Sequence, residues 1–169
     1  EKTSCLNLCA DISFFLRDGV LGHPMSTFGK AAVMAAANGG KEPKFSKFPG
    51  VVEWQNALFL WVNVAAPDNE YHNEFLEGGK AITWFGGSKM WRGCPKVQRL
   101  LSSIGTQVQG EVSRSGQHDV VLLFVRVPRG NYISLGRVSC RSADLTTHPI
   151  RMTWALEDFD RLTLSRRED

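Results

Sequence analysis

The sequence predicts an α+β fold, mainly β: a small antiparallel (pseudo)barrel of about seven strands, with two flanking helices and an extra helical portion at the N-terminus. Three observations predict it. From residue 51 onward, short apolar runs separated by turn signals follow one another, with LFLWVNVA (58–65) and DVVLLFVRV (119–127) the strongest. Strands do not alternate with helices, which argues against a doubly wound parallel sheet, and many short strands with few helices suit a small barrel plugged at its ends. Before residue 51 the pattern is helical. The chain therefore divides into a helical extension over 1–50 packed on the barrel, a barrel domain over 51–164 and a tail over 165–169.

The elements follow in order. Residues 4–21 carry Leu6, Leu8, Cys9, Ile12, Phe15 and Leu16 as a helical stripe that stops at Asp18-Gly19. Ser26 or Thr27 can cap an alanine-rich helix, FGKAAVMAAA, which ends at Asn38-Gly39-Gly40. KEPKFSKFPG (41–50) is a proline-broken loop whose Phe45 and Phe48 are expected to tuck it onto the core. After the strand at 58–65 and a turn at Pro67-Asp68-Asn69, a second strand spans 80–85. Pro95 opens a helix over 95–104, because proline suits a first turn, and Val97, Leu100, Leu101 and Ile104 form its apolar stripe. Further strands are expected at 107–112, 119–127, 132–140 and 150–156. A turn at Pro128-Arg129-Gly130-Asn131 joins the middle two, and Gly136 marks a bulge or a close backbone approach. A loop is expected over 141–149. EDFDRLTL (157–164) closes the chain as a helix with acids in its first turn.

The formal charge of +3 conceals an asymmetry. Residues 1–84 hold 7 Lys/Arg against 9 Asp/Glu, a net of −2, whereas 85–169 hold 13 against 8, a net of +5. Such a concentration fits a polyanionic partner or a solvated basic surface. Cys5, Cys9, Cys94 and Cys140 need form no disulfide framework in a chain this long, so reduced thiols in an intracellular setting are expected. Cys5 and Cys9 would share one helix face, but a single CxxxC is weak evidence for zinc, and no metal or cofactor is expected. No apolar run spans a membrane.

No GxSxG elbow, Walker loop, GxGxxG or HExxH occurs, so no catalytic set is predicted. Glu70, Glu74 and Glu77 are the one acidic group that could hold a nuclease metal. Recognition chemistry is better represented. Ser88, Lys89, Trp91 and Arg92, with Lys96 just beyond, combine cations, a hydroxyl and an aromatic face; so do Arg126, Arg129, Asn131 and Tyr132, with Arg137 following. Cations supply affinity for phosphates, arginine and asparagine can read base edges, and aromatics can stack on exposed bases. Trp91 could equally lid the core, Tyr132 could be part-buried at a strand start, and Asn131 could be ordinary turn chemistry.

The order FLWVNV, YHNEF, ITWF, a Pro-started helix, VVLLFVRV, YISLGRV and EDFDRL resembles, over about 51–164, the B3-like pseudobarrel family: plant B3 domains and restriction-endonuclease effector domains. That resemblance implies a DNA-binding domain in which two loop-bearing arms, here 88–92 and 126–132, grip the duplex. Related small barrels read modified bases through a pocket, which Trp84 or Trp91 would line. The expectation is therefore a non-catalytic nucleic-acid-binding domain, with duplex DNA favoured, in the nucleus or another DNA-containing compartment. Other protein chains of a larger assembly could also bind. The alternatives are a protein-interaction or scaffold domain using exposed aromatics, and a metal-dependent nuclease.

Overall fold

The computed structural model describes residues 5–64, 72–102 and 119–165. Its centre is one seven-stranded sheet: β1 (Val51–Glu53), β2 (Ala57–Asn63), β3 (Phe75–Leu76), β4 (Ala81–Phe85), β5 (Val120–Arg126), β6 (Ile133–Asp144) and β7 (Arg151–Leu156), in the spatial order β1-β2-β5-β6-β7-β4-β3. Among the described residues four α-helices accompany it: α1 (Ile12–Phe15), α2 (Lys30–Ala37), α3 (Pro95–Leu101) and α4 (Phe159–Ser165). The fold is α+β and mainly β, as the strand signals imply. The expected strand at 107–112, the turn at 67–69 and the tail from 166 lie outside the described residues.

One pairing departs from an all-antiparallel arrangement. β2 and β5 run parallel in unbroken register from Ala57↔Val120 to Asn63↔Arg126, while the other pairings are antiparallel. A parallel pair needs a crossover, and here the chain passes through β3, β4 and α3 before β5 begins. The sheet does not close, and β1 and β3 are its edges among the described residues.

Both central strands are apolar throughout because both of their faces are covered. Leu58, Leu60 and Val62 of β2, with Val121, Leu123 and Val125 of β5, face an interior shared with Ile82, Trp84, Val138, Met152 and Trp154 and plugged by Val97 and Leu100 of α3. The alternate residues Phe59, Trp61, Leu122 and Phe124 face outward, where Phe15 of α1 and Val33, Met34 and Ala37 of α2 cover them. Phe15 meets Phe124 and Phe59 edge-on, at ring-centroid distances of 5.0 and 6.2 Å. Each such aromatic pair contributes about 0.5–1.5 kcal/mol beyond its buried area.

The predicted helix over 4–21 is reduced to a 3-10 turn at Cys5–Asn7 and the single turn α1. Tertiary hydrogen bonds displace it. Asn56 accepts from the Ala10 N–H (2.7 Å) and donates to the Ala10 carbonyl (2.9 Å), and the Asp11 N–H donates to the Ala37 carbonyl (3.0 Å). Those backbone groups cannot also serve a helix, and Cys5 and Cys9 share no helix face. In the same way the Met25 N–H donates to the Tyr132 carbonyl, so α2 starts later than Ser26 or Thr27, after Gly29 at φ 89°. Of the two loop phenylalanines, Phe45 packs on the outer core while Phe48 is 96% exposed.

Residues 141–144, expected in a loop, prolong β6 across an irregularity between Cys140 and Ser142. Gly136 fulfils both expectations at once. It has φ 78° and sits where the β5–β6 register shifts, and a Cβ there would lie 2.5 Å from Asp158 Oδ2 and 3.0 Å from Leu21 Cδ1.

Candidate nucleic-acid interface

The segment between β4 and α3 is fixed at both ends and presented in the middle. The Gly86 N–H donates to the Ile150 carbonyl (2.9 Å), and a Cβ on Gly86 would lie 2.6 Å from Ile150 Cγ1, so only glycine passes there. Met90 buries its side chain in the interior and donates its N–H to the Gly87 carbonyl. Pro95 starts α3, and the Gln98 side chain donates to the Arg92 carbonyl. Between these anchors Ser88, Lys89, Trp91 and Arg92 are exposed, Trp91 to 59%, and Lys96 is half-buried in the first turn of α3. Trp91 is therefore no core lid.

Strand directions decide which other cations share that end. Phe85 pairs with Arg151, and Arg151 with Asp144, so the start of β7 lies beside the Ser88–Arg92 loop. Arg151 is exposed there. Lys89, Arg92, Lys96 and Arg151 form no ion pair among the described residues. Arg99, on the same helix as Lys96, is otherwise engaged. It grips both Asp119 oxygens (2.6 and 3.0 Å), donates to the Trp54 carbonyl (2.6 Å) and lies 3.5 Å from Glu53, and the two carboxylates raise its pKa, the Asp119 hydrogen bond foremost.

The second predicted loop lies at the other end of the strands. Val121 faces Val138 and Val125 faces Ile133, so β5 ends, and β6 begins, opposite the end where β4 delivers the Ser88–Arg92 loop. A seven-residue strand spans roughly 20 Å. A ligand touching both loops must therefore lie along the sheet, and cannot sit against one end of it.

Only part of this loop is available to a partner. Gly130 closes a turn on the Val127 carbonyl (2.9 Å), and Arg129 occupies its exposed tip at φ 64°, an uncommon conformation for a residue with a side chain. Asn131 donates its amide to the Met25 carbonyl (2.7 Å), which is structural turn chemistry tying the N-terminal segment to β6. Tyr132 is 1% exposed beneath Arg126, so it cannot stack on a base, and burial raises its pKa while the Arg126 charge works the other way. Arg126 is half-buried, with Nε on Asn63 Oδ1 (2.8 Å).

Two further expectations change. Arg137 is bound to Asp158: its Nη2 donates to Oδ1 (2.8 Å), and its Nε and backbone N–H donate to Oδ2 (3.2 and 2.8 Å). It clamps α4 to β6. Burial raises the Asp158 pKa, and the Arg137 hydrogen bonds outweigh burial and hold it below the ordinary carboxylate range. Trp84 is 2% exposed inside the core, whereas Trp91 is 59% exposed. An open cavity lies elsewhere among the described residues. It measures about 540 Å³ and lies at the Arg126 end, between Val64, Val125, Ile133 and Leu135 on one side and Phe159 and Leu162 of α4 on the other. Sequence periodicity marks its lining only as core.

Of the acids considered for a nuclease metal, Glu77 pairs with Arg141 (2.8 Å) and Glu74 is tied through its backbone to Thr83; Glu70 lies outside the described residues. Among the described residues no helix is long and apolar enough to cross a membrane.

No protein-family model and no curated protein matches the chain. Among solved structures it is similar to the SUVH5 SRA domain in complex with fully methylated CG DNA, at 11% identity over 88% of this chain and 93% of that one, with a TM-score of 0.48. It is also similar to Arabidopsis thaliana SUVH6 in complex with SAM, at 13% identity over 91% of this chain and 28% of that one, with a TM-score of 0.49.

Proposed function

We propose that this chain is a non-catalytic nucleic-acid-binding domain, with duplex DNA as its partner and the segment from Ser88 to Lys96 as its primary contact. One observation carries the reading. An exposed tryptophan stands among Lys89, Arg92, Lys96 and Arg151, none of them ion-paired among the described residues, on a segment whose flanks are fixed. Cations outside ion pairs keep their charge available for phosphates, and a loop fixed at both ends loses little freedom when it binds. Arg129 and Arg126, at the far end of the strands, would make the second contact along the duplex. Reading of a modified base would use the cavity beside α4, because Trp84 is sealed in the core.

Fluorescence anisotropy with a labelled duplex tests this. Four neutralised phosphates predict a slope of log affinity on log salt of about −3 to −4. Lys89→Ala with Arg92→Ala should reduce the slope by about 2 and weaken binding uniformly across sequences. A duplex carrying a modified cytosine that binds no tighter than its plain counterpart removes the base-reading part alone. A second reading, a protein-interaction surface, draws on the exposed Phe28, Phe48, Phe75 and Trp91. Binding that persists unchanged as salt rises favours it over the first.

A further inference from the structure

Two cations meet no carboxylate among the described residues and instead converge over one pair of packed rings. Lys30, the first residue of α2, holds its Nζ 5.4 Å from the Trp61 ring centroid, and the Arg126 Cζ lies 4.6 Å from that of Tyr132. The two ring centroids are 5.0 Å apart. The exposed Phe28 faces the same guanidinium at 5.7 Å.

The hydrogen-bond inventory of this cluster is incomplete. Lys30 Nζ donates to the carbonyls of Lys47 (2.8 Å) and Pro49 (3.0 Å), which leaves one of its three N–H bonds to spend. Arg126 uses Nε on Asn63 and has no acceptor for its terminal nitrogens among the described residues. The indole under Lys30 adds a third group: Trp61 Nε1 is buried and has no hydrogen-bond partner among the described residues. Burial lowers the Lys30 pKa to about 8, and the nearby Arg126 charge pushes the same way, so the cluster carries a charge cost that no acid among the described residues offsets.

We propose that Lys30 and Arg126, flanked by Phe28, form a binding site for a phosphate group, at the opposite strand end from the Ser88–Lys96 segment. A phosphate supplies what the cluster lacks, namely charge to balance two neighbouring cations and oxygens for the unspent donors. Its apolar rim favours a phosphate attached to a flat or apolar body over the free ion. The phosphate could belong to a nucleic-acid backbone or to a mononucleotide. This inference does not depend on the Ser88–Lys96 reading.

The test follows the tryptophan indole N–H resonances of the nitrogen-15-labelled chain by NMR while inorganic phosphate is added at ionic strength held constant with sodium chloride. The expected result is a saturable shift of the Trp61 resonance. Lys30→Gln and Arg126→Gln should each weaken it at least tenfold, Lys30→Arg should retain it, and Lys89→Ala with Arg92→Ala should leave it unchanged. The Trp54 and Trp154 resonances report that each variant is folded. No saturable shift in the unmodified chain, the same shift from chloride alone, or an undiminished response in both glutamine variants overturns the proposal. Titrations with a nucleoside 5′-monophosphate and with a duplex then identify the source of the phosphate, as whichever saturates the Trp61 shift at lower concentration.

Discussion

Arg137 separates a structural arginine from a binding one, and its removal has a calculable cost. Asp158 is 3% exposed, and its carboxylate accepts three hydrogen bonds, two of them from the Arg137 guanidinium, whose side chain is 44% exposed. Replacing Arg137 by Ala leaves the buried carboxylate with only the backbone N–H. Losing hydrogen bonds to a charged group costs about 1.5–3 kcal/mol, and the part-exposed arginine places the expectation near 2 kcal/mol. Urea unfolding should show this loss in midpoint, and a cycle with Asp158→Asn should return a coupling of similar size. The pH dependence has a definite sign. The folded Asp158 pKa lies below the ordinary value, so its contribution is fully present above the normal carboxylate range and is lost as pH falls through the folded value. Asp158→Asn should therefore show a shallower acid limb below about pH 4 than the unmodified chain. DNA affinity of a folded Arg137→Ala should change less than threefold. An Arg137→Ala variant of unchanged stability but much weakened DNA binding would place Arg137 on the DNA and not on Asp158.

Three more outcomes follow from packing. Gly136→Ala combines a left-handed backbone with a Cβ 2.5 Å from Asp158 Oδ2, and should cost about 3 kcal/mol or more by thermal unfolding, whereas Gly87→Ala, which meets nothing within 4 Å, should cost less than about 1 kcal/mol. Phe15→Ala empties the centre of the outer aromatic cluster and should cost about 3–5 kcal/mol in urea, enough to loosen the N-terminal helices from β2 and β5. Burial pushes the Cys140 thiol up to about 11, so iodoacetamide at pH 8 should modify the exposed Cys9 well before Cys140, as peptide mass spectrometry would show.

The strands were legible where burial on both faces wrote itself into composition. LFLWV and VVLLFV could be read as strands because neither contains a polar face, and the same property suits them to the parallel β2–β5 pair. Their pairing was not legible, since it depends on a crossover through β4 and α3 that no local pattern encodes. The N-terminal helix was over-read for a comparable reason: the apolar stripe is real, but Asn56, more than forty residues away, takes the Ala10 backbone groups a helix would need. Charge was the hardest property to read. Lys89 and Arg99 look alike in the sequence, yet Arg99 is neutralised by Asp119 and Glu53 while Lys89 is not ion-paired among the described residues. The acids of EDFDRL suggest helix-end electrostatics, and that reading misses that Asp158 also holds Arg137. Lys30 gave no signal, because its relation to Arg126 exists only once α2 lies across β2 and β5.

As a phosphate-binding surface, the Ser88–Lys96 segment must lose affinity for a duplex as salt rises. The most direct measurement is duplex affinity from 50 to 200 mM salt for the unmodified chain and for Lys89→Ala with Arg92→Ala. A steep fall with salt is expected for the first, and for the second a slope smaller by about 2 with unfolding unchanged. Equal slopes for the two chains, or affinity indifferent to salt, would contradict phosphate binding by this segment.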